Sequence, residues 1–313
     1  MKENLLRIWF AVSALAAILA ICPTATARES SRIVAWGDIN YDLTNNLGPG
    51  LSVAQIAAGD FHSLVLQRDG TLFAWGDDRF GQSSIPSVLN RHRAVKIAAG
   101  NVHNLALMGD GTVTAWGPSD GAYGDYGQDT IPAGLKKVKA IAAGSIHSLA
   151  LRRDGTVVAW GSDDYGQCDV PAGLNNVTAI AGGMYHSLAL KRDGTVVAWG
   201  DNNQGQSTVP PGLNHVVAIA AGGFHNVALK SDGTVVSWGG YGLSQIDVPA
   251  GLNNVVAIAT GDYHSLALKR DGTIAAWGLN TFGQCDIPSG LKDIRAIVAH
   301  GRHSMVLLKT TVK

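Results

Sequence analysis

A short hairpin that recurs along the chain constrains the fold more than any other feature of this sequence. In its clearest copy, residues 185–200, two apolar runs containing Leu188 and Trp199 flank the dipeptide Asp193-Gly194. Asp-Gly tolerates the positive φ angles of a tight two-residue turn, so this segment predicts a β-hairpin. A single hairpin cannot bury its own apolar face, and copies of it must therefore pack on one another.

The hairpin belongs to a repeat of about 39 residues that is marked by two ladders of seven residues each. In the tryptophan ladder each residue is followed by glycine, and successive members are 39, 41, 44, 39, 39 and 39 positions apart. Its members are Trp36, Trp75, Trp116, Trp160, Trp199, Trp238 and Trp277. The histidine ladder comprises His62, His103, His147, His186, His225, His264 and His303. From His62 to His264, each histidine is followed seven positions later by Asp-Gly and thirteen positions later by tryptophan.

The two ends of the chain carry complementary halves of this repeat. Trp36 has no histidine segment before it, and His303 has no tryptophan segment after it. We therefore expect residues 32–36 to pair with residues 304–309 and close a ring. The sequence predicts an all-β, seven-bladed β-propeller, because an open solenoid would need capping repeats at both ends. Three or four strands fit each blade, with residues 245–248 as a fourth strand in one of them.

The pattern Ala-Ala-Gly-x-x-His-Ser-Leu-Ala-Leu, followed by Asp-Gly-Thr-Val-x-x-Trp-Gly and Gly-Gln, resembles the regulator of chromosome condensation repeat family over residues 32–309. This resemblance implies a seven-bladed propeller. The repeats that end in Val-Pro-Ala-Gly-Leu, at residues 170–174 and 248–252, look closer to secreted bacterial members, including propeller-type β-lactamase inhibitory proteins. In those inhibitors, aromatic loop residues on one face supply much of the contact. Because propellers host many activities, membership alone says little about function.

Residues 1–27 have the features of a secretory signal peptide. Lys2 and Arg7 precede an apolar run at residues 8–22, and Ala25-Thr26-Ala27 is a small-x-small cleavage site. The run is too short for a comfortable membrane span. We interpret residues 28–313 as a single propeller domain that is secreted or periplasmic after cleavage near Ala27. Lipidation of Cys22 is the alternative, which the bulky Ile21 disfavours.

The charge balance argues against a nucleic-acid partner. The chain has 24 Lys and Arg residues and 24 Asp and Glu residues, and removal of residues 1–27 leaves a net charge of −1. No basic excess remains to neutralise phosphates. We expect a monomer whose partner is another protein, with no nucleic acid and no membrane span.

The sequence contains no motif typical of catalysis or cofactor binding, so we expect neither an enzyme nor a cofactor. The ladder histidines are interpreted as structural, hydrogen-bonded to turn backbone, because equivalent points on stacked sheets lie ~10 Å apart and cannot share one metal ion. His92, His215 and His300 lie outside the ladder and form no evident ligand cluster, so no metal site is predicted. Cys168 and Cys285 lie three repeats apart and are expected to be free thiols.

Aromatic residues outside the tryptophan ladder mark the candidate binding site. In the first group each residue directly precedes a ladder histidine; its members are Phe61, Tyr185, Phe224 and Tyr263. In the second group each residue lies in a loop that follows Trp-Gly; its members are Phe80, Tyr123, Tyr126, Tyr165, Tyr241 and Phe282. The loop at residues 117–128 is five residues longer than its equivalents, and insertions in repeat proteins often lie on the binding face. Aromatic loops on a rigid scaffold are typical of protein-binding surfaces.

The sequence therefore predicts an exported, non-enzymatic propeller that binds another protein through the loops of one face. The resemblance points to inhibition of an extracellular enzyme, such as a class A β-lactamase, as the sharpest form of this hypothesis. The alternative is a propeller that binds carbohydrate or cell wall, with tyrosine rings stacked on sugars. The sequence leaves open which face is used.

Overall fold

The computed structural model describes residues 29–39, 51–90, 92–118, 124–242 and 244–311. Within these ranges the chain forms 21 β-strands in seven three-stranded antiparallel sheets, with a short 3-10 helix at Ser87–Asn90. No helix in this part of the chain is long and apolar enough to cross a membrane. The predicted signal peptide lies outside the described residues.

Six sheets follow chain order, each with an inner, a middle and an outer strand. They are β2 (Val53–Ala58), β3 (His62–Gln67) and β4 (Leu72–Gly76); β5 (Ala94–Ala99), β6 (Asn104–Met108) and β7 (Val113–Trp116); β8 (Val138–Ala143), β9 (His147–Arg152) and β10 (Val157–Gly161); β11 (Val177–Gly182), β12 (His186–Lys191) and β13 (Val196–Gly200); β14 (Val216–Ala221), β15 (His225–Lys230) and β16 (Val235–Gly239); and β17 (Val255–Thr260), β18 (His264–Lys269) and β19 (Ile274–Gly278).

The seventh sheet joins the two ends of the chain. Its inner and middle strands are β20 (Ile294–His300) and β21 (His303–Thr311), and its outer strand is the N-terminal β1 (Glu29–Gly37). β1 and β21 pair in antiparallel register along nine residues. The predicted pairing of residues 32–36 with residues 304–309 is therefore present.

Apolar clusters hold adjacent sheets together. In a representative cluster, Leu149 and Leu151 of one sheet pack with Ile180 and Trp199 of the next. The seventh sheet shares one cluster with the β2–β4 sheet and another with the β17–β19 sheet. The middle strands are buried on both faces for this reason, which explains why their sequences lack a polar side.

The structure corrects the predicted turn and selects three strands per sheet from the two predicted numbers. The Asp-Gly turn has three loop residues rather than two: the Lys191 N–H bonds to the Thr195 carbonyl at 2.9 Å, and Gly194 has φ +80°. A type I turn followed by a left-handed glycine produces this geometry. Residues 245–248 form turns rather than a fourth strand, because the Val248 N–H bonds locally to the Ile246 carbonyl.

The inner strands of all seven sheets line an axial cavity of ≈ 110 Å³. Its wall consists mainly of alanine and isoleucine, whose modest size lets seven strands approach a common axis. His300, the last residue of β20, also lines this cavity.

Candidate binding face

Both groups of aromatic loops lie at the same edge of the sheets. In the sheet of β11–β13, Gly182 pairs with Ser187 and His186 pairs with Gly200. The loop before the ladder histidine and the loop after Trp-Gly therefore leave the sheet together, and the same register recurs in other repeats. We call this edge the ladder face. The Asp-Gly turns lie at the opposite edge.

The ladder histidines are fully buried and connect neighbouring sheets. His186 Nε2 lies 2.7 Å from Asn226 Oδ1, and His147 Nε2 lies 2.9 Å from Ser187 Oγ. Six of the seven make this contact with the residue after the next ladder histidine. The predicted bond to turn backbone is wrong, because the ring extends over Gly183 of its own turn toward the adjacent sheet.

The hydrogen-bond network fixes the tautomer of these rings. Asn226 Nδ2 donates to the Gln206 carbonyl at 2.7 Å, so its Oδ1 faces His186 and accepts from Nε2–H. Burial lowers the pKa of His186 to about 4 and that of His225 to about 3. The ladder is therefore neutral at physiological pH and acts as a structural tie between sheets.

The Gly-Gln motif anchors the second group of loops, a role that the sequence analysis missed. The Gln167 carbonyl accepts hydrogen bonds from Trp199 Nε1 and Ser187 Oγ, both at 2.9 Å. Its side-chain Oε1 accepts the Tyr165 N–H at 2.9 Å. The signal was visible in the sequence, because Gly-Gln follows Trp-Gly in most repeats. Equivalent bonds to a glutamine carbonyl are made by Trp36, Trp116, Trp160, Trp238 and Trp277.

Five of the predicted aromatic residues form a continuous series of ring contacts, which we call the aromatic patch. It comprises Tyr165, Tyr185, Phe224, Tyr241 and Tyr263. Ring centroids are 4.7 Å apart for Tyr165 and Tyr185, and 6.3 Å apart for Tyr185 and Phe224. Phe224 also contacts Tyr241 at 4.6 Å and Tyr263 at 5.7 Å. The patch unites residues from both sequence groups.

The remaining predicted aromatic residues have different surroundings. Phe282 lies under the Arg302 guanidinium at 4.6 Å, and Phe80 lies 6.0 Å from the Arg79 guanidinium. Tyr126 is exposed, and Phe61 is half-buried directly before His62. Tyr123 lies outside the described residues.

Three ionisable residues converge where the ladder face meets the axial cavity, so the expectation that His300 belongs to no ligand-type cluster is wrong. His300 Nδ1 lies 2.9 Å from Asp60 Oδ1, and potential ligand atoms of Asp60, Asp262 and His300 all lie within 4.8 Å of one another. Burial, together with the nearby Asp60, raises the pKa of Asp262 to about 7. Burial opposes protonation of His300, but its hydrogen bond to Asp60 raises its pKa overall. Sequence separation hid this cluster, because Asp60 and His300 are 240 residues apart.

Six segments of the chain match the profile of the regulator of chromosome condensation (RCC1) repeat: residues 53–82, 94–128, 138–167, 177–206, 216–240 and 255–284. Together they cover more than half of the sequence. The chain belongs to the regulator of chromosome condensation repeat family. Most of these RCC1 repeats run from an inner strand to the anchoring glutamine, and therefore contain the ladder histidine and the tryptophan that define the fold.

Several solved structures are similar in fold to this chain. Prp20p from Saccharomyces cerevisiae has 21% identity and a TM-score of 0.76, with 91% of this chain and 92% of that chain covered. Human WBSCR16 has 17% identity and a TM-score of 0.70, with 91% and 100% covered. The ectodomain of the Physcomitrella patens receptor kinase CR4 has 21% identity and a TM-score of 0.64, with 80% and 74% covered. No curated protein sequence matches this chain significantly. At these identities the likeness concerns the fold alone.

Proposed function

We propose that this chain binds another protein through the aromatic patch. The observation that carries the proposal is the continuous contact of five aromatic rings from neighbouring loops, of which Tyr165 is 48% exposed and Tyr241 is 52% exposed. Aromatic side chains supply a large share of binding energy at protein interfaces, because they bury much apolar area and lose little rotamer entropy.

The loops that carry the patch are already held in place without a partner. The Tyr165 N–H is bonded to the buried Gln167 side chain, and Tyr185 directly precedes the ladder residue His186. A partner would therefore bind without first ordering these loops, which lowers the entropic cost of association.

Proteins of the same fold support a binding role. Yeast Prp20p has been described with its binding to Gsp1p and histones, and also in a structure bound to Kap60. Because the identity is only 20–21%, we take from Prp20p the use of a propeller as a binding scaffold, and we do not assign its partners to this chain.

The sharper form of the proposal is inhibition of an extracellular enzyme, with a class A β-lactamase as the first target to test. It rests on the resemblance at residues 170–174 and 248–252 and on export of a mature chain that begins near Arg28. N-terminal sequencing of the protein recovered from the periplasm or medium of a bacterial host tests the export step. Retention of Met1 would contradict it.

The experiment compares variants of the patch with a matched aromatic control. Purified class A β-lactamases are titrated with the wild-type protein, with Tyr185→Ala/Phe224→Ala, and with Phe73→Ala, which removes an exposed aromatic side chain on the outer strand β4. Because two central aromatic residues are removed, inhibition should weaken about 100-fold or more in the double variant and stay unchanged in the control. A protein partner that binds the double variant as tightly as wild type would exclude the patch as the binding site.

Carbohydrate binding is the second candidate, favoured by the exposed rings of Tyr126, Tyr165 and Tyr241. Such rings can stack on the apolar faces of sugars. A glycan array probed with wild-type protein, Tyr165→Phe and Tyr165→Ala separates this function from the first. Binding that survives in the Phe variant and disappears in the Ala variant would support the carbohydrate function.

A further inference from the structure

The seventh repeat departs from the other six at one position. Three residues before the ladder histidine the other repeats have glycine, whereas the seventh has His300; the glycines are Gly59, Gly100, Gly144, Gly183, Gly222 and Gly261. The next position is aspartate in two repeats only, at Asp60 and Asp262, and elsewhere is Asn101, Ser145, Met184, Gly223 or Gly301.

These three departures converge in space. The seventh sheet packs between the β2–β4 sheet and the β17–β19 sheet. Asp60 lies in the loop between β2 and β3, two residues before the ladder histidine of that sheet, and Asp262 lies at the same position between β17 and β18. The two aspartates thus lie on the two blades that flank His300. The side chains of all three residues are largely buried, and Asp60 and His300 are each 17% exposed.

The arrangement carries a structural cost. His303 is fully buried, and within the described residues both of its ring nitrogens lack a hydrogen-bond partner, whereas the other six ladder histidines each bond through Nε2. Two carboxylates held beside one imidazole also repel each other when both are ionised. A bound cation would neutralise this negative charge and relieve the repulsion.

We propose that Asp60, Asp262 and His300 bind one divalent transition-metal ion at the ladder-face mouth of the axial cavity. One imidazole nitrogen and two carboxylate oxygens form a donor set suited to Zn²⁺ or Mn²⁺. Ligands at ~2.0–2.2 Å from a tetrahedral ion lie ~3.3–3.6 Å apart, so ion binding requires side-chain rotations that move the ligand atoms by about 1 Å from the observed spacing of up to 4.8 Å.

The cluster borders a small recess of ≈ 10 Å³, about the space that one water molecule needs. Asp262 and His300 line it together with Gly182, Gly222 and Gly261. Arg302 lowers the pKa of Asp262 but has its guanidinium over the Phe282 ring. The neighbouring rings of His62 and His303 are neutral at physiological pH, because burial lowers their pKa values to about 4 and about 3.

Metal titration of tag-free protein, expressed from the full sequence and treated with chelator, tests the proposal. Isothermal titration with Zn²⁺ and with Mn²⁺ should give one ion per chain. His300→Gly restores the residue of the other six repeats, and Asp262→Asn keeps the side-chain shape. Each should weaken binding at least about 10-fold. His215→Asn is the matched control, since Asn176 and Asn254 occupy the equivalent exposed position with the same backbone conformation.

Two independent readouts keep the test decisive. Co²⁺ substitution should produce visible d–d absorption that is absent in His300→Gly, and added Zn²⁺ should raise the melting temperature of wild type and His215→Asn only. Circular dichroism confirms that each variant is folded. Equal affinity of wild type and His300→Gly, or failure of wild type to bind either ion, would overturn the proposal and leave the cluster as a buried hydrogen-bonded group.

Discussion

The imidazole of His186 occupies the space beside Gly183 where a side chain would begin, so that an added Cβ would collide with Cε1 of the ring. The same relationship recurs at Gly59, Gly144 and Gly261 with their own ladder histidines. This contact explains why glycine stands three residues before the histidine although its φ angle at Gly183 does not require glycine. The ring needs the space to reach the next sheet.

Gly183→Ala should therefore destabilise the protein by about 2 kcal/mol or more, because the methyl group displaces the ring and breaks its bond to Asn226. Urea unfolding followed by tryptophan fluorescence measures the change. Gly109→Ala is the control, since its Cβ would meet only Val95 Cγ1 at 3.8 Å. Equal stabilities of the two variants would contradict this role of the glycine.

Acid should unfold the protein because of the ladder. The pKa of each ladder histidine falls from 6.5 to about 3 or 4 through burial. Between these values the unfolded chain binds more protons than the folded chain, so stability is lost as pH falls below about 6.5. Each histidine contributes a slope of up to ~1.4 kcal/mol per pH unit.

Urea unfolding at pH 7.5, 6.5 and 5.5 checks this dependence. His300 and Asp262 act with the opposite sign, because their pKa values are raised and their contribution is lost as pH rises. His300→Gly should therefore steepen the loss of stability at acidic pH. An unfolding free energy that stays constant from pH 7.5 to 5.5 is incompatible with a neutral, buried ladder.

The N-terminal strand should be essential for stability. Trp36 is buried in the cluster between the seventh sheet and the β17–β19 sheet, and its Nε1 donates to the Gln284 carbonyl at 2.9 Å. Trp36→Ala should cost about 3–5 kcal/mol, because it opens a cavity and leaves the Gln284 carbonyl with one fewer donor. Ile39→Ala, at an exposed position just past β1, is the control and should change thermal stability little. Similar melting temperatures for the two variants would show that β1 is dispensable.

Cys168 and Cys285 should react slowly with alkylating reagents in the folded protein. Both are free as predicted, and burial raises their pKa values to about 12 and about 11. Cys168 Sγ donates to the Ser162 carbonyl at 3.2 Å, the bond that Ser207 Oγ makes to the Asp201 carbonyl at 2.8 Å. Peptide mass spectrometry after iodoacetamide treatment at pH 8 should find both unmodified until urea is added.

Cys168→Ser should change the free energy of unfolding by less than about 1 kcal/mol, since serine makes the equivalent bond in another repeat. Rapid labelling of the native thiols, or a large loss of stability in this variant, would point to a different environment for this residue.

The fold could be predicted from the sequence because its signals are local and repeated. The Trp-Gly and histidine ladders indicate strands and their period, and the unmatched halves at Trp36 and His303 indicate which strands pair. The candidate face could be predicted only in part. Tyr185 and Tyr165 are both predicted as loop aromatics, but their contact joins loops of two different sheets. It depends on the bonds of the Gln167 carbonyl to Ser187 and Trp199, which sequence spacing does not determine.

The contacts between repeats could not be predicted in this way. The bond of His186 to Asn226 joins residues 40 positions apart, and the Asp60–His300 contact joins residues 240 apart. Single-sequence patterns report which residues share a strand face and not which loops meet across sheets. His300 was nevertheless detectable as the one histidine that replaces a glycine of the repeat.

The backbone ties around Tyr185 leave its side chain free to vary. Gly183, His186 and Gln167 hold the loop through buried groups. The position of Tyr185 itself is occupied in three other repeats by Val102, Ile146 and Arg302. The residues that hold the loop and the residue that varies between loops thus occupy different positions of each repeat. A substitution at position 185 would therefore change the side chain that this loop carries and leave the contacts of Gly183, His186 and Gln167 in place.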